Sequence, residues 1–197
     1  MPTSSPNFGI LLVTFLIAPA SWLAIGSSLV VHAQVESAAD QKAEADRLFQ
    51  QADQAYKADD YPLTLQFAQA ALILYQDTSI REAWPDASRQ GEAETLNLIG
   101  RAKLSLGQYT AAIADFEKAL SIHRELANPI GEARVLGNLA VTDFYLSQFD
   151  QALSHLEQAQ SIVQSTDVQA TFPQESQKIT FTVLGVYANI YYSLEDV

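Results

Sequence analysis

Residues 93–163 of this 197-residue chain write one motif twice, 40 residues apart. Leu106-Gly107-Gln108-Tyr109 followed by Ala112, Ala119 and Ile122 returns as Leu146-Ser147-Gln148-Phe149 followed by Ala152, Ala159 and Ile162. A fixed period of this size marks units that cannot bury their apolar face alone and stack on a neighbour. The first half of each unit places Leu96, Ile99, Gly100 and Leu104, then Leu136, Leu139, Ala140 and Phe144, at three- and four-residue steps. That is the helical period with one buried stripe. The second half carries Ala112 and Ala119, then Ala152 and Ala159, where two helices must approach closely. Larger side chains there overpack at a cost of about 1–3 kcal/mol per site. A continuous coiled coil would show a similar stripe, but Gly107 and Ser147 interrupt it at matching points, so each unit is a helical hairpin.

The same spacing extends outward in weaker form. A degenerate first hairpin begins near Ala45, with Tyr61 aligned on Tyr109 and Ala71 on Ala119, and helices expected from about Asp40 to Ala58 and Tyr61 to Tyr75. Thr64 and Ala68 stand there where later hairpins have alanine and an aromatic, a decay that an end unit tolerates. Residues 76–90 and 165–177 lengthen two of the intervals to 48 and read as loops, because Trp84-Pro85 and Phe172-Pro173 lie in them and proline cannot continue a helix. Trp84 is expected to pin its own loop, with a partner-binding anchor as the competing role. Asn128-Pro129 is a helix start, Asn as cap and Pro in the first turn. Phe181 to Leu194 reads as the first helix of an unfinished fourth hairpin. Its apolar residues spread around the helix and leave no polar outer face. Another chain covers it, or it packs half exposed, or the chain is a shortened relative of a longer protein, and the last is the preferred expectation.

At these residues the chain resembles the tetratricopeptide repeat (TPR) family. That pattern, about 34 positions long, asks for apolar residues at 4 and 7, a small one at 8, Gly at 15, an aromatic at 17, Ala at 20, an aromatic at 24 and Ala at 27. Counted from Ala93, the residues are Leu96, Ile99, Gly100, Gly107, Tyr109, Ala112, Phe116 and Ala119, a match throughout. Counted from Ala133, Ser147 and Leu156 depart from the glycine and the second aromatic. The longer period is similar to that of bacterial proteins with repeats of roughly 40 residues. The resemblance implies an all-α, right-handed superhelical stack of antiparallel hairpins, with repeats at about 45–75, 93–126 and 133–165 and a partial one at 181–197. It also implies that first-helix positions 2, 5, 6, 9, 12 and 13 line a concave groove for a peptide or partner protein. Carried over, these are Asn97, Arg101, Arg134, Asn138 and Asn189 as polar candidates, with Phe144 and Tyr145 as apolar neighbours. The Lys and Asn clamp that some TPR proteins use for a terminal carboxylate is not reproduced, since only Lys57 supplies a lysine at position 13.

Residues 1–33 contain no Asp, Glu, Lys or Arg, and Ile10 to Val31 is apolar. With Val31-His32-Ala33 as a cleavage site this reads as an export signal, and an uncleaved anchor is the alternative. Residues 34–39 form a polar spacer, and the repeat domain spans 40–197. The expected location is outside the cytoplasm, periplasmic or extracellular, with a membrane link only through an uncleaved leader. The net charge of −12 falls on the remainder and disfavours nucleic acid and anionic lipid. With no cysteine, disulfides and thiol chemistry are absent.

No catalytic or metal-ligating constellation, phosphate loop or cofactor motif is legible. His123 and His155 read as packing residues, and Glu92 and Glu94 as solvated charges rather than an acid and base pair. The function expected from the resemblance is a non-enzymatic interaction module that grips a protein or peptide, with possible self-association through Phe181 to Leu194. The alternative is a truncated regulatory arm of a larger exported enzyme, since a leader followed by such repeats is similar to bacterial proteins with a caspase-like CHAT protease domain.

Overall fold

A computed structural model describes residues 37–195, and the leader, its cleavage site and the start of the spacer lie outside the described residues. The chain is a stack of antiparallel hairpins without a strand among the described residues. The order is α1 (Ala38–Lys57), α2 (Tyr61–Tyr75), α3 (Thr78–Ala83), α4 (Pro85–Ser105), α5 (Tyr109–Glu125), α6 (Pro129–Tyr145), α7 (Phe149–Gln164), α8 (Thr166–Thr171) and α9 (Pro173–Glu195). α1/α2, α4/α5 and α6/α7 are the three expected hairpins. No helix among the described residues is long and apolar enough to cross a membrane.

Local chemistry sets the ends. Ser37 caps α1 through a reciprocal pair with Asp40, so the helix starts at Ala38, two residues before the expected Asp40. Asp60 and Asn128 cap α2 and α6, each with its side chain accepting from a backbone N–H, and a proline stands in the first turn of both. Between the helices of each hairpin one residue turns left-handed: Asp59 (φ 58°), Gly107 (φ 73°) and Ser147 (φ 58°), with Ala127 (φ 49°) between hairpins. Only Gly107 enters that region without steric cost.

Two stretches expected as loops are helical. α3 and α8 are six-residue helices, and Pro85 and Pro173 each begin a long helix, so α9 starts eight residues before the expected Phe181. The reason is positional: proline lacks only an N–H that the first turn does not use, so it opens these helices as well as closing the preceding ones. The two insertions are copies of each other, 88 residues apart. Trp84 N–H donates to the Ile80 carbonyl at 2.8 Å and Phe172 N–H to that of Val168 at 2.7 Å. Ile80, Val168, Ser88 and Ser176 are buried in matching places. Trp84 is half-buried at the α3–α4 junction.

Side-chain volumes are exchanged across the interfaces. A methyl group on Gly100 would lie 2.6 Å from the Phe116 ring, so the aromatic fills the space that glycine leaves. The equivalent pairs are Leu156 with Ala140 and Ala68 with Ala52, all buried. Between hairpins the device recurs. Tyr75 of α2 lies on Gly91 of α4, and His123 of α5 on Gly131 of α6, with a Cβ on either glycine 2.4 Å from the ring. In the last interface the sizes reverse, with Val163 and Ile179 at these places in one core cluster.

Tyr75 keeps a partner, its hydroxyl donating to Asp46 at 2.7 Å, and burial together with that carboxylate holds the phenol well above its usual pKa. His123 does not: its ring is fully buried, and neither nitrogen has a hydrogen-bond partner. Burial therefore pushes its pKa below the ordinary histidine value.

Two predictions follow from these geometries. Ser147→Gly and Ala127→Gly should each raise the free energy of unfolding by about 0.5–1 kcal/mol, and Gly107→Ala should lower it by about 1 kcal/mol, read from urea midpoints. For His123, the unfolded chain takes up a proton near pH 6.5 while the folded chain resists it. Stability is then full above that pH and falls as pH drops through the window between the unfolded and the lowered folded pKa. His123→Leu should lessen the pH 7-to-5 loss of stability seen in the native chain, and equal losses in the two proteins would refute the assignment.

Candidate binding face

The first helices form a continuous inner row. α1 touches α4, α4 touches α6 and α6 touches α9, while the second helices make no comparable contact in series. Elements that approach more closely lie on the inside of an arc, so the surface of α1, α4, α6 and α9 is its concave side.

Four layers of side chains run along this face. At one end Arg134 of α6 donates to both carboxylate oxygens of Glu94 of α4, at 2.5 and 2.6 Å. Next, the Asn138 amide donates to the Asn97 side-chain oxygen at 2.8 Å. One turn further, the Arg101 guanidinium lies 4.1 Å over the Tyr56 ring of α1, a cation held by the negative face of an aromatic. At the far end Tyr145 stacks on Tyr109, with centroids 5.4 Å apart and planes within 2°.

The structure thus brings together Asn97, Arg101, Arg134, Asn138, Phe144 and Tyr145, and their availability differs. Asn97 is buried, its oxygen taken by Asn138. Arg134 is neutralised by Glu94. Phe144 is half-buried against the core, edge-on to Tyr145 and tilted against Phe149. Arg101, Asn138 and Tyr145 keep surface toward the groove, and Tyr145 is exposed. Asn189 stands one helix further along, exposed on α9. Sequence reasoning did not place Tyr56, Tyr109 or Glu94 on this face. For Glu94 a signal was present, since Glu94 and Arg134 are 40 residues apart and opposite in charge at the same place of successive repeats.

Glu92 and Glu94 are not solvated charges. Glu92 is buried and accepts hydrogen bonds at 2.8 Å from Gln76, Arg81 and Arg89. It ties the end of α2 and α3 to α4, a role invisible in sequence because, Arg89 of its own helix apart, its partners belong to the inserted helix and the hairpin before. His155 does have a carboxylate partner, its Nδ1 lying 2.8 Å from Asp143. One repeat earlier Lys103 and Asp115 pair at 2.6 Å, so at the same place of the two hairpins the carboxylate stands on opposite helices. These are bonds within hairpins.

On the opposite side two crevices repeat in register. One of 490 Å³ lies between α5 and α7 against α6, lined in part by Ile113, Glu117, Leu139, Asp143 and His155. Another of 440 Å³ lies between α2 and α5 against α4. Both are open, and each carries acidic and basic side chains together, Glu117 and Arg124 in the first and Asp115 and Lys118 in the second. Among the described residues no group of three or more His, Asp or Glu side chains is placed to hold a metal ion.

Residues 91–165, the greater part of α4 and the whole of α5 to α7, match the tetratricopeptide repeat family model. No curated protein matches the chain. Such repeats generally mediate contacts between proteins and are typically non-enzymatic scaffolds. Residues 91–165 are thus tetratricopeptide repeats within a hairpin stack that is all-α among the described residues.

Proposed function

We propose that this chain is a non-enzymatic module that holds an extended segment of a partner protein on its inner face, outside the cytoplasm. The supporting observation is the row formed by Arg101, Asn138 and Tyr145. It offers a cation, an amide and an exposed aromatic in sequence along a preformed surface. The Arg101 guanidinium gives its face to Tyr56 and makes no ion pair among the described residues, which leaves its N–H edges for carbonyl or carboxylate oxygens of a ligand. The remaining Asn138 amide valences suit a peptide backbone, which presents donors and acceptors alternately. The Tyr145–Tyr109 stack provides a flat apolar platform for one large side chain. Because these groups are already held by neighbours, little ordering entropy is lost on binding. Location outside the cytoplasm rests on the apolar run Ile10 to Val31 and the small residues Val31 and Ala33 that follow it.

The test is capture of partners from the exported fraction of the source cells by the native protein and by Arg101→Ala, Asn138→Ala and Tyr145→Ala, with Glu117→Ala on the other face as a control. Affinity for the captured partner should fall about 5- to 30-fold in Arg101→Ala and Tyr145→Ala and stay unchanged in Glu117→Ala. Asn138→Ala also leaves the buried Asn97 oxygen unpaired, so its melting temperature must be recorded alongside. Capture undiminished in all three inner-face variants would dismiss this reading.

A further inference from the structure

The last helix is covered on one side and bare on the other. Ser176, Ile179, Val183, Val186 and Ile190 of α9 are buried against α6 and α7. Their equivalents 88 residues earlier, Ser88, Thr95, Leu98 and Ala102, are buried on α4 where it meets the preceding hairpin. The second face of α4 is covered by α5, leaving Leu96 4% and Ile99 3% exposed. On α9 the same face has no covering helix among the described residues: Phe181 is 66% exposed, Leu184 53%, Tyr191 59% and Tyr192 70%. A contiguous apolar stripe of this size marks a contact surface.

We propose that this face joins two copies of the chain, their α9 helices crossing antiparallel about a two-fold axis that meets the bare face at the level of residue 186. Three observations select a second copy as the occupant. First, Phe181, Leu184, Ala188 and Tyr191 follow three- and four-residue steps and are symmetric about residue 186. Antiparallel pairing then sets Phe181 opposite the other copy's Tyr191 and Leu184 opposite its Ala188, filling large against large at the ends and large against small near the centre. Second, Gly185 has nothing within 4 Å of where a Cβ would stand, so the backbones are free to approach at the axis. Third, residues 179–194 contain no charged side chain in a chain of net charge −12. A like-charged copy is repelled over most of the surface and meets no repulsion here.

In this arrangement each α9 covers the bare face of the other, running antiparallel as α5 does on α4. The contact is isologous and closes at two copies, so it does not propagate into fibres. It leaves the Arg101–Asn138–Tyr145 row of each copy open, two grooves in one assembly.

Sedimentation velocity on the full chain decides it. The native protein is expected to sediment as a dimer at tens of micromolar, and Phe181→Ser with Tyr191→Ser to weaken dimerisation at least about tenfold with an unchanged helical circular dichroism spectrum. If that pair of substitutions impairs folding, Ala188→Arg, which places a cation at the axis on an exposed site, is expected to give the same shift. A native protein that stays monomeric at 100 μM, on the order of the weakest specific contacts, overturns the proposal and leaves the face to a helix of another polypeptide. A dimer that persists in a folded variant overturns it too, by placing the interface elsewhere.

Discussion

The stack depends on how closely neighbouring helices approach, and that distance is fixed where one helix has no side chain. Phe116 on Gly100, Tyr75 on Gly91 and His123 on Gly131 each set a ring against bare backbone. Interiors are close-packed, so such a contact admits one separation only: a methyl group on the glycine forces the helices apart, and a smaller ring leaves a void. Because the contact recurs at equivalent places, each hairpin meets the next in nearly the same way. The arc and the row on its inner side follow from that repetition. Where Val163 and Ile179 reverse the sizes, total volume is kept while the bulk passes to the incoming helix, a change that cores tolerate.

The inner row is a by-product of stacking as much as a binding surface. Glu94 with Arg134 and Asn97 with Asn138 spend their hydrogen-bonding capacity on tying α4 to α6. Their effect on a ligand is to hold Arg101, Asn138 and Tyr145 in place. Ion pairs at half-exposed sites add little stability, about 0–1 kcal/mol each. Glu92 differs because it is buried, and three donors from three helices offset its desolvation.

The 40-residue period and its hairpins were legible because side-chain size repeats at fixed spacing, from Leu96 and Leu136 to Ala119 and Ala159. The inserted helices were not, because Trp84-Pro85 and Phe172-Pro173 signal a break whether or not a helix starts on the proline itself. A second signal was available: the two stretches are 88 residues apart, and a repeated insertion is seldom unstructured. Left-handed Ser147, Asp59 and Ala127 escaped reading since none is glycine and the turn imposes its φ through neighbouring hydrogen bonds. For the binding face, the family positions located the right helices but not which side chains remain free, since that depends on partners one repeat away. His123, read as a packing residue, does pack, but its full burial between α5 and α6 was not legible. By composition it is a polar residue near a helix end, and only the glycine across the interface turns it into a buried ring.

Charge is arranged so that acidity faces water and not the contact surfaces. Eight of the 11 lysines and arginines are in ion pairs with carboxylates: Lys42, Arg47, Lys57, Arg81, Arg89, Lys103, Arg124 and Arg134. Pairing of this kind neutralises local repulsion, and the surplus of carboxylates opposes non-specific association. On the inner row the one acid, Glu94, is matched by Arg134, and Arg101 rests on an aromatic instead of a carboxylate. The bare face of α9 has no charge at all. An acidic protein that must still touch other proteins has to confine contact to such places, because desolvating an unpaired carboxylate costs more than a modest apolar patch returns. Both surfaces meet that requirement, the face of α9 by carrying no acid and the inner row by pairing its one acid, whereas the crevice between α5 and α7 holds Glu117, which makes no ion pair among the described residues.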